Sequence, residues 1–206
     1  MPPRLTPQRR SAGRRVTPER LQRILDVTVD IVIAEGFSAV TMQAVARRAD
    51  YVRPVIYDCY GTPENILTAV FDRAADTIST QLQHISTTLS ASGSQLAEAL
   101  TAITDAAAAE PRAWRLVGLS LDGAPDPVRE RVGEIRAAVR GVLGAAIGVQ
   151  AAVQTSHLLD VGALAALAQG LVDAFILRMT DESDALSPQR VRRFVDSIAK
   201  SVSVAG

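Results

Sequence analysis

The tripeptide Thr-Pro-Glu occurs at 17–19 and again at 62–64. Each copy combines a hydroxyl N-cap, a proline suited to the first helical position and an acid near the positive end of the helix dipole. The stretch between these two helix starts is punctuated closely. Leu21, Ile24, Leu25, Thr28, Ile31 and Val32 recur at helical spacing up to Glu35-Gly36, where glycine suits the left-handed C′ position. Phe37 and Val40 are expected to tuck back into the core. Thr41 then caps a second, short helix with Met42, Val45 and Ala46 inward and Arg47 and Arg48 at its end. Ala49-Asp50-Tyr51 predicts a tight turn, because Asp is among the few non-glycine residues that tolerate a left-handed backbone. A third short helix is predicted from Arg53-Pro54 to Tyr60, closed by Gly61. The second Thr-Pro-Glu opens a long helix through Ile66, Leu67, Val70, Phe71 and Ile78. Two short helices joined by a tight turn behind a longer one fit a helix-turn-helix and also a plain corner of a helical bundle.

The charge distribution favours the first of these. Lys+Arg and Asp+Glu are both 22. Residues 1–60 nevertheless hold ten arginines against six acids, a net +4 that leaves −4 on the remainder. A basic first quarter is either a solubilising tail or a polyanion-binding module, with nucleic acid as the first candidate. Residues 1–16 mix Pro, Arg, Ser and Gly without periodicity and are expected to form a basic arm.

The rest reads as helix throughout. Hydrophobic residues are 48% and aromatics only 4%, which favours helices packed through small side chains over a β-sandwich. Further helices are predicted at 94–109, 111–121, 127–148, 156–180 and 188–203, with a loop at Asp122–Pro127 and a helix start at Ser187-Pro188. Gly162, Ala166, Gly170 and Ala174 stand four apart on one helical stripe, and Val191, Phe194, Val195, Ile198 and Val202 form an apolar face on the last helix. Either set serves an internal core or a symmetry mate. Their lateness in the chain and their narrowness point to a homodimer interface. No uninterrupted run of about 18 apolar residues occurs, and no apolar segment follows the basic N-terminus. The expectation is a cytoplasmic protein without a membrane partner.

Ile24-Leu25-Asp26-Val27-Thr28, Glu35-Gly36-Phe37, Thr41-Met42-Gln43-Ala44-Val45-Ala46, Ala49 and Pro54-Val55-Ile56-Tyr57 resemble the TetR family of bacterial transcriptional regulators over roughly residues 18–70. The resemblance implies an all-α, two-part protein: a helix-turn-helix DNA-binding domain at 17–62 on a ligand-binding and dimerisation domain at 63–206. It implies that Thr41 bonds a backbone phosphate and that Val52, Arg53, Pro54, Val55, Tyr57 and Asp58 lie on or near the recognition helix in the major groove. Arg53 is the candidate for a guanine edge or an adjacent phosphate, Tyr57 for a phosphate, and Arg47 and Arg48 for the backbone. The chain departs from the family pattern at Asp50, Val52, Cys59 and Pro63, where Gly, a polar residue, His and a phosphate-binding Lys are common. Asp58 also brings a negative charge near the DNA face. These losses weaken DNA binding unless the basic arm offsets them.

A family-like body implies a ligand pocket, with Phe71, Leu100, Ile103, Trp114, Val117, Leu121 and Phe175 as apolar candidates; each is equally suited to ordinary core. Arg112 and Arg115 flank Trp114 and fit either an anionic head group or a solvated helix start. His157 and Asp160 lack the further ligands a metal needs, and Cys59 is either a redox switch or a small buried hydrophobe. The single Cys excludes a disulfide within the chain. No phosphate loop, nucleophile elbow, HExxH or CxxC occurs, so neither cofactor, metal nor enzymatic activity is expected. The reading is a homodimeric transcriptional repressor that binds double-stranded DNA and responds to a small-molecule effector. The alternatives are a ligand sensor of the same fold with weakened operator binding and a small helical enzyme.

Overall fold

Every strong start and stop signal of the first 64 residues falls at a helix boundary. In the computed structural model, which describes residues 16–92, 96–153, 160–179, 187, 189–194 and 197, α1 spans Pro18–Glu35, α2 Met42–Ala49, α3 Arg53–Tyr60 and α4 Pro63–Ser92. They are followed by α5 Leu96–Ala109, α6 Pro111–Gly118, α7 Asp126–Val153 and α8 Val161–Met179. Residues 189–194 are also helical. The architecture is all-α, with no strand among the described residues.

The caps are those the sequence chemistry dictates. Thr17 Oγ1 accepts from the Arg20 N–H at 3.3 Å, Thr41 Oγ1 from Ala44 at 3.1 Å and Thr62 Oγ1 from Asn65 at 3.1 Å. Each satisfies one of the amides that a helix start leaves without an intrahelical acceptor. Gly36 ends α1 at φ 83°, and its N–H returns to the Val32 carbonyl at 3.0 Å. Asp50 adopts φ 60° and ψ 43°, the one non-glycine positive φ among the described residues, and lets the Tyr51 N–H reach the Ala46 carbonyl at 2.9 Å.

Packing explains where the later helices differ from expectation. The helix expected at 111–121 stops at Gly118, where a Cβ would meet Leu177 of α8 at 3.2 Å. The helix expected at 127–148 runs from 126 to 153. That expected at 156–180 has its described start at Val161, with Asp160 as cap through an Ala163 N–H bond of 3.0 Å. His157, Val195 and Ile198, most of the arm at 1–16 and most of the helix expected at 188–203 lie outside the described residues.

One hydrophobic core runs from α1 through α8. Phe37 and Phe71 stack in it with ring centroids 5.8 Å apart, so the segment after Gly36 does fold back. The 30-residue α4, about 45 Å long at 1.5 Å per residue, is the shared wall. It packs against α1 at its start and against α5, α6 and α7 further along. Val161–Arg178 is long and apolar enough by composition to cross a membrane, with mean hydropathy 1.5. Gln169, Asp173 and Arg178 interrupt it, and Ala165, Ala168, Val172 and Ile176 are buried in the bundle.

Candidate nucleic-acid interface

A helix beginning at Arg53 turns residues 55, 56 and 59 to one side and 53, 54, 57 and 58 to the other. The protein follows that division. Ile56 is fully buried and Cys59 partly so, whereas Arg53, Pro54, Tyr57 and Asp58 face solvent. Val55 is only 3% exposed and supports α3 from beneath, so it is not available to a base edge. Val52 and Tyr57 are each 53% exposed and stand on either side of Arg53 in sequence. Neither side chain is used by the chain's own core, and both stand near the exposed Arg53.

Across the turn, α2 adds Thr41, Gln43 and Arg47, all exposed. Thr41 Oγ1 is occupied as an acceptor by its cap, which leaves its hydroxyl proton free to donate. Arg53 donates from Nη2 to the Gln43 side-chain oxygen. Arg47 has no ion pair among the described residues, whereas Arg48 is paired with Glu35 at the end of α1. Of the two arginines expected near the backbone, Arg47 alone is uncommitted. Val52 offers α3 no side-chain cap, and Pro63, partly buried at the start of α4, supplies neither a cation nor a backbone donor.

The thiol of Cys59 is pushed up by burial, with Arg20 opposing and Asp58 adding to the shift. A raised thiol is less ionised and less reactive, which favours the packing role over a redox switch. Tyr60 beside it is pushed up to about 12, chiefly by burial, and its hydroxyl points to the Leu21 carbonyl of α1 at 3.4 Å.

The interface is tied to the body through α1. Arg73 of α4 donates to Gln22 Oε1 at 2.7 Å and to Asp26 Oδ1 at 2.8 Å. Arg112 of α6 donates to the Asp26 carbonyl at 2.9 Å and pairs with Asp30 at 2.7 Å. Arg112, one of the two cations flanking Trp114, is thus committed to the junction. A cavity of about 260 Å³ lies there, with Val29, Val70, Arg73 and Arg112 among its walls.

The body places the expected pocket residues differently. Phe71, Ile103, Trp114 and Val117 are buried core, and Leu100 and Leu121 pack against that core. Phe175 meets Phe194 edge to face at 6.0 Å. Open space lies between α4 and α5, a cavity of about 380 Å³ with Gln81, Ile85, Leu89, Ala102 and Ala106 in its wall, and between α4 and α7, a more open one of about 460 Å³ lined by Leu82, Ser86, Ala138 and Val142 among others. Sequence reading missed the first because alanines on α5 and a glutamine on α4 carry no local sign of facing a void. Among the described residues no group of three or more His, Cys, Asp or Glu is placed to hold a metal.

Gly162, Ala166, Gly170 and Ala174 all face solvent on α8, together with Leu167 at 69% and Leu171 at 45% exposure. Phe194 extends this patch at 49%, whereas Val191, at 2%, turns inward to the bundle. Val191 is core, because the 189–194 segment leans on α5 through Arg192, which donates to Asp105 at 2.8 Å.

The short helices α2 and α3, joined by the Asp50 turn and mounted on an all-helical body, form a helix-turn-helix unit. Residues 24–70 match the family described as bacterial regulatory proteins, tetR family. The fold agrees over nearly the whole chain. A bacterial regulatory protein in the tetR family from Rhodococcus RHA1 is 19% identical with a TM-score of 0.65, covering 87% of this chain and 95% of its own. The TetR-family transcriptional regulator PfmR from Thermus thermophilus is 17% identical with a TM-score of 0.68, covering 88% and 95%. The transcriptional regulator FadR from Bacillus subtilis, solved in complex with stearoyl-CoA, is 15% identical with a TM-score of 0.64, covering 84% and 94%. No curated protein matches the chain by sequence.

Proposed function

We propose that this chain is a homodimeric, ligand-responsive transcriptional repressor of the cytoplasm. It comprises a basic arm at 1–16, a DNA-binding module at 17–62 and a ligand-binding and dimerisation body at 63–206. The observation that carries the reading is the outward face of α3, where Arg53 and Tyr57 stand exposed directly after the Asp50 turn. Two such helices, one from each protomer, enter successive major grooves of a near-palindromic operator about one helical turn apart. Arg53 reads a guanine edge, Tyr57 and the Thr41 hydroxyl donate to phosphates, and Arg47 adds a backbone contact. The second protomer covers the apolar face of α8 and Phe194. An effector bound in the body favours a dimer whose recognition helices no longer match the operator, and occupancy falls by population shift. A structural relative holding stearoyl-CoA supports ligand responsiveness in this fold.

The test is a titration of the purified protein against the intergenic DNA flanking its own gene, at low and moderate salt, with random duplex as control. Tight, salt-sensitive and site-selective binding supports the repressor. Binding no better than to random duplex favours the second reading, a dimeric ligand sensor with weakened operator affinity. That reading draws on three observations at the DNA face: exposed Asp58, uncapped Val52, and Pro63 at the head of α4.

A further inference from the structure

Asp58 is the one acid of α3, and nothing in the chain's own fold accounts for it. Residues 41–60 hold three arginines, Arg47, Arg48 and Arg53, against two acids, Asp50 and Asp58. Asp50 is explained by the left-handed backbone of the turn. Asp58 is exposed and makes neither hydrogen bond nor ion pair among the described residues. It stands in the last turn of a helix that ends at Tyr60, where the negative end of the helix dipole opposes a carboxylate. Exposure, charge and position therefore leave Asp58 without a stabilising part in α3. Such a departure from local rules is expected where a residue serves a site rather than the fold.

The major groove limits what this carboxylate can meet. An ionised Asp only accepts hydrogen bonds. Guanine presents two acceptors there and thymine an acceptor and a methyl group, so neither offers it a donor. Adenine sets its N6 amine beside the N7 acceptor, whereas cytosine offers its N4 amine with no acceptor on the same edge. Cytosine is the base that matches. Against a phosphate the carboxylate is repelled, and a Debye length of about 8 Å at physiological salt does not screen charges in contact. Arg53 and Asp58 are five residues apart, about 7.5 Å along the axis and at opposite borders of the outward arc. Arg53 donates to Gln43 and forms no ion pair with Asp58. Cation and anion therefore do not neutralise each other, and they address base steps about two apart at ~3.4 Å per step.

We propose that Asp58 is a specificity-determining residue of the DNA face: its carboxylate accepts from the N4 amine of one cytosine in each half-site, about two base steps from the pair met by Arg53, and repels DNA that lacks an amine there. The proposal deepens the repressor reading and rests on it. Asp58 then lowers affinity for sequences at large and raises the preference for one, a repulsive element that serves selectivity. In the weakened-operator reading the same carboxylate repels every sequence alike, so the two accounts differ in base preference and not in charge.

The experiment selects sites from a pool of duplexes with a randomised core, using the full-length parent, Asp58→Asn and Asp58→Ala. Each protein is then titrated against the parent's selected site with all four base pairs placed in turn at every position, and against random duplex. The side chain is exposed and unpartnered, so both variants keep the parent's thermal transition. The parent is expected to prefer cytosine at one position of each half-site by about fivefold or more. Asp58→Ala loses that preference and binds random duplex more tightly than the parent, so its ratio of site to random affinity falls by about fivefold or more. Asp58→Asn gains adenine at the same position, because an amide meets adenine N6 and N7 together. A cytosine preference that Asp58→Ala keeps, or affinity raised alike for every sequence, overturns the proposal while the repressor reading stands. A site enriched by Asp58→Ala and not by the parent also overturns it, and supports the sensor with weakened operator affinity. If none of the three proteins enriches a site, the repressor reading itself fails and the proposal falls with it.

Discussion

The guanidinium of Arg53, at the first position of α3, donates from Nη2 to the side-chain oxygen of Gln43 in the first turn of α2. The bond crosses the turn of the helix-turn-helix and sets the direction of a long, flexible cation. Arg53 retains further donors in a rigid fork, the geometry that matches guanine O6 and N7.

Arg53→Ala is expected to weaken specific binding by about 1–3 kcal/mol, and Gln43→Ala by a smaller amount with selectivity lost at the same base position. Binding of each variant to an operator series substituted one base at a time reads this directly. A uniform loss across all positions would reassign Arg53 to a phosphate.

The head of α4 lacks a cation because Pro63 occupies it. Pro63→Lys keeps the Thr62 cap, places a charge where the helix start can meet a phosphate, and should steepen the slope of log K against log salt by about 0.9. An unchanged slope would mean that this helix start does not reach the DNA.

Leu167 stands on the small-residue face of α8 at 69% exposure. Leu167→Glu buries an unpaired carboxylate if that face is the dimer contact, a cost of several kcal/mol. Light scattering on a sizing column should then give the mass of a monomer. A surviving dimer would place the interface elsewhere.

Asp50 accepts a left-handed backbone at φ 60° that β-branched residues resist. Asp50→Val should lower stability by about 1–2 kcal/mol and Asp50→Gly should match or exceed the parent. Urea midpoints at constant slope measure both, and equal midpoints for the two variants would remove the turn as the cause.

Tyr60 has a folded pKa raised to about 12, against roughly 10 for an unfolded tyrosine. A raised pKa means that the folded state binds the phenolic proton more tightly. Its contribution is therefore complete below pH 10 and is lost as pH rises through 12. Tyr60→Phe should flatten that part of the alkaline stability profile, measured by thermal denaturation from pH 9 upward.

Residues 17–64 were legible from local chemistry almost to the boundary, because every transition there is set by neighbours in sequence. Thr17, Thr41 and Thr62 cap, Gly36 and Gly61 close, Asp50 turns, and the alternation of apolar and polar residues sets which face of α2 and α3 is buried. The family segment at 24–70 lies within or beside that stretch. The body was legible as helices but not as sites. Ala102 and Ala106 border a cavity while Ala99 and Ala107 are fully buried on the same helix, and nothing local distinguishes them. Arg112 reads as a free helix-start cation until α1 brings Asp30 against it across 82 positions of chain. Whether an apolar residue lines a void or fills the core, and whether a charge is free or paired, depends on neighbours remote in sequence, and only the tertiary packing supplies them.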